Sequence, residues 1–124
     1  MKKLFGVLAI ALSLLSIQAQ AQLGAVSGEI EFIRKKSADV SASEEHLFWF
    51  TLKVDKAGRC KKWGEDGVLF FANDASAYSM ILAAFTAGKS VGVNFDDANR
   101  RGEWCKAKFV TLGNPPTLSW DGSN

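Results

Sequence analysis

The stretch Asp74-Ala-Ser-Ala-Tyr78-Ser-Met-Ile81-Leu-Ala-Ala-Phe85-Thr-Ala-Gly88-Lys-Ser-Val91-Gly-Val-Asn-Phe95 reads as a capped helix that runs straight into a strand. Asn73 or Asp74 supplies a short polar side chain for the unpaired amides of the first helical turn. Ala77, Tyr78, Ile81, Leu82 and Phe85 recur at helical spacing and predict one apolar stripe packed on a core. Gly88 ends the helix as a left-handed cap. Val91, Val93 and Phe95 then alternate with Gly92, Asn94 and Asp96, which is the period of a half-buried strand.

Strand-like runs flank this unit. Val26 to Lys35 alternates, with Ile30 and Phe32 on one face and Glu29 and Glu31 on the other. Lys36 to Glu45 is small, polar and acidic, and reads as a loop. His46 to Asp55 is aromatic and β-branched. Phe48, Phe50, Leu52 and Val54 form its core face, which leaves Trp49 outward beside Thr51 and Lys53. Lys56 to Arg59 is a turn, and Cys60 to Gly67 is a charged, glycine-containing segment carrying Trp63. Val68 to Ala72 is a short apolar strand. Asp97 to Trp104 reads as a polar loop and Cys105 to Leu112 as the last strand. Pro115 and Pro116 stop it, because proline cannot donate to a ladder. The order strand, strand, strand, helix, strand, strand predicts a mainly β chain, a five-stranded OB-fold Greek-key barrel with its helix between strands 3 and 4. The alternative is an open antiparallel α+β sheet.

Residues 1–21 read as a leader. Lys2 and Lys3 precede an uncharged apolar run, Leu4 to Ile17, and Ala19-Gln20-Ala21 offers a cleavage site. The run is shorter than the ~20 residues of a membrane-spanning helix, so no membrane insertion is expected after cleavage. The expected organisation is a signal peptide over 1–21, one domain over 22–113 and a tail over 114–124 that holds Trp120. A periplasmic or secreted location follows. The chain has 15 Lys+Arg against 13 Asp+Glu, and the two surplus lysines belong to the leader. The remainder is neutral, which offers no general electrostatic case for nucleic acid.

Cys60 and Cys105 are the only cysteines. In an exported domain they read as one disulfide. Closing a loop of about 45 residues stabilises by about 4 kcal/mol on chain-entropy grounds. Two cysteines and the single His46 do not fill a four-ligand zinc shell without carboxylates.

The run Tyr78 to Val91, with Cys105 before the last strand, resembles the helix–Gly–strand signature of small secreted bacterial OB-fold proteins. Among these are the B subunits of subtilase-cytotoxin-like and pertussis-like toxins. The resemblance spans Leu47 to Leu112. It implies a glycan-binding subunit, and a homo-oligomer that is pentameric if toxin-like.

Catalytic chemistry finds no constellation. His46 has no nucleophile near it in sequence, and neighbouring acids on a strand point to opposite faces. The paired acids Glu44-Glu45, Glu65-Asp66 and Asp96-Asp97 therefore read as solvated loops, as do the basic clusters Arg34-Lys35-Lys36 and Arg100-Arg101. Gly88-Lys89-Ser90 closes a helix instead of opening one, so it is no phosphate loop. No cofactor is expected. The aromatics are the better lead. A disulfide brings Trp63 and Trp104 together, either as a cover over the bond or as a stacking platform flanked by Arg100, Arg101 and Glu103. Trp49 falls on the face that OB-folds use for ligands. The expectation is a non-enzymatic binding module using Trp49, Trp63 and Trp104, with a glycan or a partner protein as ligand and nucleic acid set aside. An assembly protein acting through its helix or an edge strand is the alternative.

The leader reading is checked by intact-mass analysis of exported material. The expected species starts at Gln22 and carries no free thiol. A retained Met1 or two alkylatable cysteines refutes it.

Overall fold

The computed structural model describes residues 23–37, 44–65 and 67–113. The segments read as a leader, 1–21, and as a tail, 114–124 with Trp120, lie outside the described residues. The elements are β1 (Leu23–Lys35), β2 (Leu47–Leu52), β3 (Val68–Asn73), α1 (Ala75–Ala87), β4 (Ser90–Arg101) and β5 (Trp104–Leu112). The strands close into a barrel in the order β1-β2-β3-β5-β4. β1 is long enough to pair with β4 through its first half and β2 through its second. A short parallel contact between β3 and β5 completes the ring. This is the five-stranded OB-fold with its helix between β3 and β4. Closure excludes the open sheet and, among the described residues, leaves no unpaired edge strand.

The core follows from the alternation in β2. Phe48, Phe50 and Leu52 are fully buried. The rings of Phe48, Phe50, Phe70 and Phe95 form a chain through the barrel, with successive centroids 5.8, 5.9 and 5.8 Å apart. Tyr78 of the helix meets Phe48 edge-on at 5.2 Å, which seats α1 over the barrel end. The Asp74 carboxylate accepts from the Ala77 amide at 2.7 Å. Gly88 closes the helix at φ +65, a conformation in which a side chain is strained.

The helix buries a narrower stripe than its sequence predicts. Ile81 and Ala84 are buried, and Ala77 and Tyr78 pack partly on the core. Leu82 and Phe85 stand 43% and 44% exposed. The small Ala84 lets the helix backbone approach the barrel mouth, and the bulkier pair falls to the side of that contact line.

The segment read as a polar loop after Asp96 is also corrected, because β4 continues to Arg101. Between Phe95 and Arg100, four residues of β4 pass one of β5. Asp97 continues the inward alternation of Val91, Val93 and Phe95 and is fully buried. Its Oδ2 accepts from the Arg59 backbone N–H at 3.0 Å and from Arg59 Nε at 3.2 Å, and Oδ1 accepts from Nη2 at 3.0 Å. These bonds raise the Arg59 pKa above its ordinary value. They also tie the turn after β2 to β4. Gly58 makes the approach possible: at φ +53, a Cβ there would stand 2.9 Å from Asp97 Oδ2. Arg34 and Lys35 lie in β1, as the alternation through Lys35 predicts and as the loop reading of the basic cluster does not.

Cys60 and Cys105 are joined, with Cα atoms 5.5 Å apart. The bond pins the segment between β2 and β3 to the start of β5.

Urea denaturation separates core from surface. Phe70→Ala should lower stability by about 3–5 kcal/mol, as buried aromatic truncations do. Phe85→Ala should stay within about 1 kcal/mol of the parent, as expected of a half-exposed surface position. Equal losses would refute the assigned helix face.

Candidate functional site

A cleft of about 580 Å³ opens on the outer face of β1, β2 and β3. Its position follows from strand register. Arg34 pairs with Trp49, Trp49 with Phe71, and Phe71 with Lys106, so these residues form one row across the barrel wall. The adjacent row holds Phe32, Thr51 and Leu69. A bulge between Ile30 and Phe32 decides which side Phe32 takes. Ile30 opposes Leu52 and faces the core, whereas Phe32 opposes Thr51 and lines the cleft. One extra residue reverses the facing of everything beyond it. The placement of Ile30 and Phe32 on one face is corrected for this reason.

The disulfide builds the rest of the floor. Trp63 lies three residues after Cys60, and Trp104 immediately precedes Cys105. Their ring centroids stand 5.6 Å apart at an interplanar angle of 51°. Phe32 meets Trp63 edge-on at 6.3 Å. Trp63 stays 48% exposed despite both neighbours. The pair therefore presents ring surface to solvent. The ammonium of Lys61 lies 5.4 Å over the Trp104 ring, within cation–π range. It also pairs with Glu103 at 2.5 Å.

Cations form the rim. Arg34, Lys35, Lys36 and Arg101 line the cleft with Trp49, Trp63 and Trp104. Arg101 pairs with Trp104 across the β4–β5 turn. The Lys35 ammonium donates to the Glu45 carbonyl at 3.0 Å and lies 5.8 Å from the Tyr78 ring. Glu44 stands between two of these cations: Oε2 accepts from Lys36 Nζ and Oε1 from Arg101 Nη2. The two hydrogen bonds, Lys36 first and Arg101 second, hold the Glu44 carboxyl below its ordinary pKa.

All three tryptophans expected at a site, Trp49, Trp63 and Trp104, thus line one cleft. Trp49 is half-buried there, next to Arg34. Arg101 joins them. Arg100 and Glu103 are exposed and do not line it. The sequence reading missed Phe32, Arg34, Lys36 and Glu44 as site residues. The basic cluster at 34–36 and the acids at 44–45 were visible signals, but their convergence depends on Arg101, far along the chain. His46 is exposed. Among the described residues no three His, Cys, Asp or Glu side chains gather as a metal site, and no helix is long and apolar enough to cross a membrane.

No family model matches the chain, and a search of curated proteins finds no match. Among solved structures, the chain is similar to a small single-stranded DNA binding protein from Mycoplasma pneumoniae. Identity is 17% and the TM-score 0.48, over 80% of this chain and 99% of that one. That neighbour is by its description a nucleic-acid binder, against the expectation of a glycan or partner protein as ligand with nucleic acid set aside. The physical error lay in using net charge. A neutral total says nothing about where charges sit, and four cations meet at this one cleft.

The role of the disulfide in building the floor is open to a direct check. The Cys60→Ala/Cys105→Ala double variant should lose about 2–4 kcal/mol of stability. Under native conditions its near-UV circular dichroism should lose the tryptophan bands of the Trp63–Trp104 contact. Unchanged bands in the folded variant would show that the indoles are held without the bond.

Proposed function

We propose that this protein is an exported, non-catalytic binder of single-stranded nucleic acid, and that the cleft between β1, β2, β3 and the β4–β5 turn is its binding groove. One observation carries the reading: aromatic rings and cations alternate within a single cleft on the face and loops that OB-folds use for oligomeric ligands. Unpaired bases have exposed π faces, and stacking on an aromatic side chain is worth about 1–3 kcal/mol per base. Trp63 offers such a face, backed by Trp104 and Phe32. Arg34, Lys36 and Arg101 supply charge along the path of a phosphate backbone. The base faces of a duplex are already stacked on one another, so the groove selects single strands. Export is supported by the leader at 1–21. The Cys60–Cys105 bond supports it too, because disulfides persist in oxidising compartments.

The test is fluorescence anisotropy with a labelled 12-residue oligodeoxythymidylate, a length within the about 4–16 nucleotides that one OB-fold occupies. Binding should weaken as salt rises. Trp63→Ala and Trp104→Ala should each lower affinity by about 5- to 150-fold, the equivalent of one lost stacking contact. A blunt duplex of the same length should bind more weakly. Failure of the oligonucleotide to bind, or binding indifferent to both substitutions, refutes the reading.

A further inference from the structure

We infer that Glu44 is a built-in phosphate surrogate: its carboxylate sits where a backbone phosphate of the ligand binds, and it weakens binding until it is displaced. This rests on the single-strand reading of the groove and assigns a specific residue to its control.

The geometry is unusual for a surface acid. Glu44 engages both of its oxygens with cations from different elements, Lys36 just past β1 and Arg101 at the end of β4. Its side chain is 19% exposed, less than that of either partner. Both partners line the cleft, and Glu44 itself does not. Two donors converging on two oxygens of one anion is also the arrangement that grips the two non-bridging oxygens of a phosphodiester. The same two cations cannot give full charge to a ligand while Glu44 holds them. A strand that offers only charge gains little by exchanging one anion for another. A strand that also stacks on Trp63 gains the stacking free energy in addition. Glu44 therefore favours ligands with unstacked bases over plain polyanions. Among the described residues the other pairs do not have this form: Asp96 pairs with Lys108, and neither lines the cleft. Asp97 is fully buried and holds a turn, and Glu103 pairs with Lys61, outside the cleft lining.

The experiment compares Glu44→Gln with the parent and with Glu29→Gln. Glu29 is exposed on β1 and pairs with Ser90, so it controls for net charge alone. Two probes are used, the labelled 12-residue oligodeoxythymidylate and inorganic tripolyphosphate, the latter followed by tryptophan fluorescence. Glu44→Gln should bind the oligonucleotide about tenfold more tightly at low salt. Its plot of log affinity against log salt should steepen by about 0.7–1.4, the contribution of one to two phosphates on a single strand. It should gain affinity for tripolyphosphate by a larger factor than for the oligonucleotide. Glu29→Gln should match the parent in slope.

Weaker oligonucleotide binding by a folded Glu44→Gln, checked by near-UV circular dichroism, overturns the inference and makes Glu44 a support that positions the cations. An unchanged salt slope overturns it too, as does a gain equalled by Glu29→Gln. If no oligonucleotide binds the parent or either variant, the single-strand reading falls. Tripolyphosphate then decides separately: a gain confined to Glu44→Gln upholds the phosphate seat, and no gain removes it.

Discussion

The Cys60–Cys105 bond is the constraint on which the candidate site depends. It spans 45 residues of sequence and fastens a segment without strand pairing of its own, apart from the single bridge of Lys62 to Val68, onto the first residues of β5. The barrel closes through hydrogen bonds and a phenylalanine core that owe nothing to this segment's tryptophan. The cleft does not. Trp63 is nearly half exposed and receives little burial energy to hold it, so the covalent tether three residues away, its contacts with Phe32 and Trp104, and the backbone bond from the Trp63 amide to the Gly67 carbonyl at 2.8 Å fix its place. A rigid aromatic platform at a solvent-facing position is the arrangement that pre-organises a stacking site.

Charge in this molecule is informative only locally. Asp97 is a buried carboxylate whose bonds from Arg59 hold the turn at Gly58 against β4. Glu44 is a partly covered carboxylate shared by two cations at the mouth of the cleft. Both are acids paired with basic residues, and a sum over the chain counts them alike. Their surroundings separate them. Asp97 is sealed under the backbone and serves the fold, whereas Glu44 borders an open cleft where an incoming anion can compete for its partners.

Much of the fold was legible along the chain. The helix between Asp74 and Gly88, the alternation of Phe48, Phe50 and Leu52, and the pairing of the only two cysteines are local or binary signals, and the structure contains each of them. The outward position of Trp49 was also legible, since side chains alternate along a strand and its neighbours are fully buried. What the sequence by itself determined is thus the set of elements, their order, the core face of β2 and the cross-link.

Only the tertiary structure decided the rest. The bulge beside Glu31 turns Phe32 outward, and no residue pattern marks it, because a one-residue offset between paired strands is a property of the pair. The irregular pairing after Phe95 likewise lets β4 run on to Arg101 through residues that read as a polar loop. The helix line that meets the barrel depends on how closely Ala84 approaches the core, so periodicity alone placed Leu82 and Phe85 wrongly. The cleft joins Arg34, Trp49, Trp63 and Arg101 from three strands and a tethered segment. Separation in sequence hides that convergence, and closure of the barrel together with the disulfide creates it.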